Sequence, residues 1–369
     1  MINRRHFLQH SALISLAGIG IGCNGIKPHA HPVLMSAAKA RLQPGRYANF
    51  AIFLDANGKI TNKIQLPHRA HAATYSKATE KAYFIARRPG QEIYVIDRFS
   101  EAIHSIITAP PNRHFYGHAA ISPDGQFLLT TENNLENGEG TIGVRDLFRN
   151  NELVNEFPSN GIGPHELLFS TRPNTIVVAN GGILTHPSQP RKKLNIDGMQ
   201  PNISFLEWPT GKVINKYEPT HHQMSARHIS QTNQGEVIIG FQFQGKSSIE
   251  VPQVAKVSAQ SGMEYFQHPS VLGNQIKNYT ASVSHNSAQN INLISCPKGD
   301  TLTIWDNSKL ISKLSNQDVA GVCQWQDESY ISNGFGSVYR LEFVANKFQL
   351  TPLQKYTDIQ WDNHLCAIS

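Results

Sequence analysis

"GHAAISPDGQFLLTTENN", residues 117–134, decides the architecture. From His118 it alternates apolar and polar positions, breaks at Ser122–Gly125, and resumes as a second β-rich run ending in Glu132–Asn134. Period-two alternation on both sides of a Pro/Gly break predicts a β-hairpin, and "SPDG" is turn chemistry rather than a catalytic motif. The same scheme heads two further stretches, "HAATYSKATEKAYFIARRPG" (71–90) and "HELLFSTRPNTIVVANGG" (165–182). Their leading histidines, His71, His118 and His165, recur at intervals of 47 residues. Each hairpin is followed by a third strand that ends near an acid: "EIYVIDR", "TIGVRDL" and "ISFLEWP".

Repeats at a fixed period are read before anything else, because they set the fold. "ARHISQTNQGEVIIGFQFQG" continues the series at His228, delayed by the insertion "ILTHPSQPRKKLNIDGMQPN" (183–202). "ASVSHNSAQNINLISCPKG" with "TLTIWD", and "AGVCQWQDESYISNGFG" with "SVYRLEF", complete six units. The C-terminal stub "WDNHLCAIS" resembles a lone first strand beginning at His364, and the N-terminal runs "VLMSAAKA", "YANFAIFLD" and "KITNKIQLP" supply three strands with no first strand before them. The predicted fold is therefore all-β, a seven-bladed β-propeller closed by one C-terminal and three N-terminal strands in the last blade. No segment has helical periodicity, and an irregular pair of β-sandwiches is the weaker alternative.

Length and composition agree with one large β domain over residues 31–369. The 369-residue chain is 40% hydrophobic and 16% charged, with no low-complexity tract. Residues 1–30 hold Arg4, Arg5 and Lys27 and no acid, so cleavage after them takes the formal charge from +6 to +3, which gives no reason to expect a nucleic-acid partner. "NRRHFLQ" followed by "SALISLAGIGIG" reads as a twin-arginine export signal, and its apolar run is shorter than the roughly 20 residues that span a bilayer. Residues 1–30 are thus expected to direct export to the periplasm. Cys23 offers a lipid-anchor alternative, although Gly20 is a poor match three residues before it. The mature chain is expected to lack a transmembrane segment and to be a monomer. Cys296, Cys323 and Cys366 form no C-x-x-C pair; they are expected to be buried thiols, with at most one disulfide among them.

In a propeller blade the first strand lines the central channel and the second runs antiparallel outside it. The start of the first and the end of the second then share a face. On this placement His71, His118, His165, His228 and His364 fall at one mouth of the channel, with Ser282 and Gly321 at the equivalent places in the two other blades. Arg88, Glu132, Asn133, Asn180, Gln242, Gln244, Lys298 and Asn333 come from the second strands. Arg227, beside His228, suits either an anion or a blade-to-blade ion pair, and Tyr279 and Asp318 could stand in where a blade has no ring histidine. The expected site is a polar funnel rimmed by imidazoles. Its bland counterpart is a set of channel histidines that merely satisfy strand ends and water.

Neutral imidazole suits iron, copper and zinc, so the five histidines are candidate metal ligands, provided a wide channel does not hold them too far apart. A haem, a metal chelate or an anionic small molecule, aided by Arg88, Arg227 and Lys298, is the broader expectation. The insertion carries His186, Arg191, Lys192 and Lys193 and is expected near the mouth as a solvated loop or a lid. Glu132 and His118 are the one acid and base pairing that an enzyme could use, and no catalytic residue stands out.

"NRRHFL", "RAHA", "GHAAISPDG", "TTENN", "GTIGV", "GIGPHEL", "VVANGGILTHP", "RKKLN", "ARH" and "DNHL" together resemble the bacterial exported propeller family of unknown function numbered 1513, over nearly the whole mature chain. Members of that family are usually encoded near imelysin-type iron-uptake proteins and di-haem oxidoreductases. The resemblance thus implies a periplasmic binding or accessory protein of iron acquisition, with iron, copper or haem as ligand. It carries no catalytic residue. A lactonase-like or metal-dependent propeller enzyme and a purely protein-binding scaffold are the alternatives.

Overall fold

The computed structural model describes residues 31–368, apart from 89, 190, 191, 259, 260 and 268–270; the export segment 1–30 lies outside the described residues. Seven antiparallel sheets are arranged in a ring. Blade 1 comprises Ala70–Ser76, Lys81–Ala86, Glu92–Asp97 and Ser105–Thr108. Blade 2 comprises Arg113–Ile121, Phe127–Asn134, Gly140–Asp146 and Glu152–Pro158. The four strands of blade 3 begin at Pro164, Thr175, Asn202 and Val213, and those of blade 4 at Met224, Val237, Val254 and Gly262. In blade 5 they begin at Val283, Ile291, Thr301 and Lys309, and in blade 6 at Val319, Glu328, Ser337 and Lys347.

Blade 7 joins the two ends of the chain. Leu34–Gln43, Arg46–Leu54 and Ile60–Leu66 pair in order, and the C-terminal chain adds two short pieces to the first of them, Ile359–Trp361 and Cys366–Ala367. The interval between those pieces leaves the sheet and holds Asp362 and His364. The expectation of one C-terminal strand starting at His364 therefore differs from what is found. Asp362 N still bonds the Ala37 carbonyl, residues 363–365 break the pairing, and the Asp362 and His364 side chains are buried.

The sequence gradient across each blade follows from what covers it. Second strands such as Thr175–Asn180 and Ile291–Cys296 are buried along their whole length, wedged between neighbouring sheets, and are mostly apolar without a strict alternation. Outer strands such as Lys309–Ser315 alternate exposed and half-buried residues, with one face to water. Side chains from adjacent blades interdigitate to form the core, for instance Ile142, Val144 and Phe157 of blade 2 against Leu167, Ile176 and Leu206 of blade 3. The turn in the opening stretch forms as read: Gly125 donates to the Ser122 carbonyl at φ +74°, and Ser122 Oγ accepts from Phe127 N at 2.8 Å.

Among the described residues the only α-helix is the short Val271–Gln275, and no helix is long and apolar enough to cross a membrane. Cys296, Cys323 and Cys366 are free thiols whose pKa values burial pushes up, so they are poor nucleophiles at neutral pH.

Candidate metal centre

Inner strands do not run smoothly past the channel. In blade 1 the pairing register skips between Ala70 and Ala72, in blade 2 between Phe115 and Ala119, in blade 3 between Pro164 and Glu166, and in blade 4 between Ala226 and His228. The residues displaced there are His71, Tyr116 to His118, His165 and Arg227. β-Bulges re-aim side chains next to functional sites, and here they turn the polar residues of four blades inward. Gly117 shows how tight the result is. It sits at φ +105°, and a Cβ on it would fall 2.6 Å from His71 Cδ2, so only glycine lets the blade 2 backbone pass the blade 1 imidazole.

All five ring histidines meet. The ring centroids of His71 and His364, and of His118 and His364, are 4.6 Å apart. His165 and His228, and His228 and His364, stand at 4.7 Å, and His118 is 5.0 Å from His165. The concern that a wide channel would keep them apart is thereby resolved. Two trios, His118–His228–His364 and His71–His118–His165, each place one ligand atom per residue within 4.8 Å of the others. Three or four imidazole nitrogens that share one ion at about 2.1 Å lie about 3.4 to 3.6 Å apart, so rings spaced up to 4.8 Å must draw together by as much as about an ångström to coordinate it. Ser282 completes the ring in blade 5, its Oγ 3.2 Å from His364 Nδ1. In blade 6 the space beside Gly321 is filled by Leu365.

The outward nitrogens decide the tautomers. His71 Nδ1 lies 3.1 Å from Asp362 Oδ1. His118 Nδ1 and His228 Nδ1 face the two oxygens of Glu166 at 3.5 and 3.3 Å, the latter contact being off-line for a full hydrogen bond. A carboxylate only accepts, so His71 carries its proton on Nδ1 and keeps an Nε2 lone pair; the same tautomer suits His118 and His228, which face Glu166 at ion-pair distance without a full hydrogen bond. Ser282 donates to the Asn363 carbonyl at 2.7 Å and so accepts from His364 Nδ1–H. His118 Nε2 and His364 Nε2 are buried without any partner. His165 is the exception. Its Nδ1 accepts from the Arg227 guanidinium at 3.3 Å, which puts the proton on Nε2. The donor set is therefore four lone pairs, from His71, His118, His228 and His364, and one N–H, from His165.

Burial holds His71, His165, His228 and His364 neutral. It pulls His71 down to about 3 against the opposing attraction of Asp362, and pulls His165 and His364 well below 6.5, reinforced by Arg227 in the first case and by His118 in the second. His228 is lowered by burial despite Glu166. Burial would raise Asp362, but His71, Arg69 and Arg87 more than offset it and keep the carboxyl ionised. Glu166 is likewise held low by His118 and His228 against its burial. Neutral imidazoles backed by carboxylates are the usual arrangement around a bound transition metal.

Above the cluster opens a cavity of about 350 Å³. Of the expected site residues, His71, Arg88, His165, Arg227, His228 and Gln242 line it, together with Gln244, Tyr279, Lys298 and, from the insertion, Lys193. His118 and His364 lie in the cluster beside it. Glu132, Asn180 and Asn333 are bound into their own blades. Glu132 is fully buried against Arg145 at 2.8 Å and Thr130 at 2.7 Å, so the His118/Glu132 acid–base pairing is not formed. Asn180 bonds Ser159 and Asn202, and Asn333 accepts from the backbone of Phe335 and Ser337. Asp318 does not line the cavity, and Arg191 lies outside the described residues. Arg227 makes no blade-to-blade ion pair among the described residues; its cationic head serves His165 and the cavity.

Residue reasoning passed over Glu166, Asp362, Tyr116, Arg69 and Arg87. The first two stood beside ring histidines in "GPHE" and "DNHL", and an acid one or two residues from a candidate ligand is the signal that could have found them.

Among proteins of curated function none is detectably similar in sequence. Of solved structures, the hydrazine synthase of Kuenenia stuttgartiensis superimposes with a TM-score of 0.59 at 15% identity, over 84% of this chain and 90% of that one. Such a likeness speaks to the fold alone. Residues 64–368 match the family described as "Protein of unknown function (DUF1513)", and with that span covering most of the chain, from the first blade to the last strand, the chain belongs to that family.

Proposed function

We propose that this propeller is a non-catalytic metal-handling protein that holds one first-row transition ion on His118, His228 and His364, with His71 as the fourth ligand. The observation that carries the reading is the pair of buried, partnerless Nε2 atoms on His118 and His364 within a carboxylate-backed group of histidines. Buried ring nitrogens usually find a partner; His114 and His285 also leave ring nitrogens unpaired, but they stand apart from the other histidines, whereas His118 and His364 sit in one cluster. An all-imidazole donor set suits iron, copper, nickel or zinc and disfavours calcium and magnesium. The ring centroids stand as close as 4.6 Å, which leaves no room for a planar haem among them, whereas a single ion needs only that the rings shift toward a common centre.

The family's association with imelysin-type and di-haem proteins, and the twin-arginine pattern at Arg4 and Arg5, support a periplasmic role in iron acquisition. The ion would then be cargo or a resident ligand rather than a catalyst, because the one sequence-level acid–base pair is dispersed.

Equilibrium dialysis of the metal-free protein against Fe(II), Cu(II), Ni(II) and Zn(II) tests the reading. One ion per chain, lost in a folded His118→Ala/His228→Ala double variant, is expected. Equal metal content in both proteins would overturn it. For location, cell fractionation with Arg4→Lys/Arg5→Lys should move the protein from periplasm to cytoplasm.

A further inference from the structure

The cavity above the cluster is lined by Arg88, Lys193, Arg227 and Lys298, and among the described residues none of the four has a carboxylate within ion-pair distance. Arg87 also reaches the lining but is engaged with Asp362 at 3.4 Å. Arg227 is 7% exposed, and its Nε is buried without a partner. Neighbouring cations leave their mark on one another. Burial and then Arg88 bring Arg227 down to about 10, while burial followed by Arg227, Lys298 and Arg88 lowers Lys193.

Like charges gathered in a partly enclosed space raise the free energy of the empty chamber, and an anion of matching charge relieves it. Neutral donors point the same way. His165 carries its proton on Nε2 and lines the chamber, as does the Tyr279 phenol, while the amides of Gln242 and Gln244 already donate to the Thr280 and Gln242 carbonyls. A chamber of about 350 Å³ is at the small end of ligand pockets. Guanidinium forks match carboxylate and phosphate groups.

We propose that this chamber is an anion subsite, taking a small oxyanion of charge two or more, a polycarboxylate or a polyphosphate. It deepens the metal reading, on which it rests in one respect: an oxygen of the anion would complete the coordination of an ion held by the histidines below. Anion capture itself depends only on the chamber's own cations.

The test is calorimetric titration of the metal-free full chain with citrate, pyrophosphate and acetate at low salt, repeated on an Arg88→Gln/Lys298→Gln variant. Both residues lie toward the mouth, and Lys298 is exposed, so the fold should persist. Citrate or pyrophosphate should bind at least tenfold more tightly than acetate. That preference should fall at least tenfold in the variant and weaken as salt shortens the screening length. A citrate preference identifies carboxylates and a pyrophosphate preference identifies phosphates; either supports the subsite. Equal affinity for all three anions, or affinity unchanged in the variant, overturns it.

The same titration on His118→Ala/His364→Ala, neither of which lines the chamber, separates the two readings. Anion binding by both this variant and the wild type, with no metal taken up by the wild type, leaves the subsite standing and removes the metal site. Metal uptake without any multivalent-anion preference does the reverse.

Discussion

Replacing Glu166 with Gln changes one atom and, by the geometry, one tautomer. Glu166 Oε2 accepts from Ile229 N at 2.9 Å and faces His228 Nδ1 at 3.3 Å, while Oε1 faces His118 Nδ1 at 3.5 Å. The Ile229 N–H needs an acceptor, so in the variant the amide oxygen takes the Oε2 position and the NH2 group turns to His118. Two donors cannot face each other. His118 must then accept at Nδ1 and carry its proton on Nε2, which removes the lone pair of the residue shared by both metal trios.

Loss of an outer carboxylate typically weakens a metal site about 10- to 100-fold, or roughly 1.4 to 2.7 kcal/mol. Stability should change less, because the Glu166 side chain is 23% exposed and the Ile229 bond survives. Long-range proton–nitrogen NMR of the metal-free protein reads the tautomer directly, and dialysis reads the affinity. A His118 still protonated on Nδ1, or metal affinity within a factor of two of wild type, refutes the reasoning.

Glu132→Gln serves as the opposite control: it leaves the Arg145 guanidinium buried without a counter-charge, so a loss of about 3 to 5 kcal/mol is expected in urea unfolding with metal affinity per folded molecule unchanged. Gly117→Ala forces a Cβ into His71 at a left-handed φ, and should lower stability by about 1 to 3 kcal/mol while weakening metal binding, both measured on the same sample. Metal-free protein should lose stability as pH falls below about 6.5. The unfolded histidines bind protons there, whereas folded His71, held to about 3, and His114, held to about 4, do not. Each contributes a slope approaching 1.4 kcal/mol per pH unit, visible in urea midpoints between about pH 6.5 and 4.5. Asp362 and Glu166, held low, withdraw their contribution only below about pH 4, so a flat midpoint over the upper window would contradict the buried-neutral assignment.

Blade strands were readable because their alternation follows burial. "TIVVAN" has an unbroken apolar centre because both faces are covered, and "KLISKLS" alternates because one is not. The 47-residue spacing placed the first three ring histidines, and the stub placed His364 approximately. What escaped was local irregularity. A bulge leaves no period in the sequence, so the inward turn of Tyr116 was hidden, as was the break in the last strand that buries Asp362. Glu132, Asn180 and Asn333 were placed in the funnel by register alone. Register gives position along a strand, but a buried polar side chain is claimed by the nearest group that satisfies it, here Arg145, Ser159 with Asn202, and a turn backbone.

X-ray absorption at the metal edge of the loaded wild-type protein tests the central claim most directly, because imidazole rings give multiple-scattering features that count them. The account predicts three or four imidazole nitrogens at about 2.0 to 2.2 Å. One imidazole or none, with oxygen making up the shell, would contradict it.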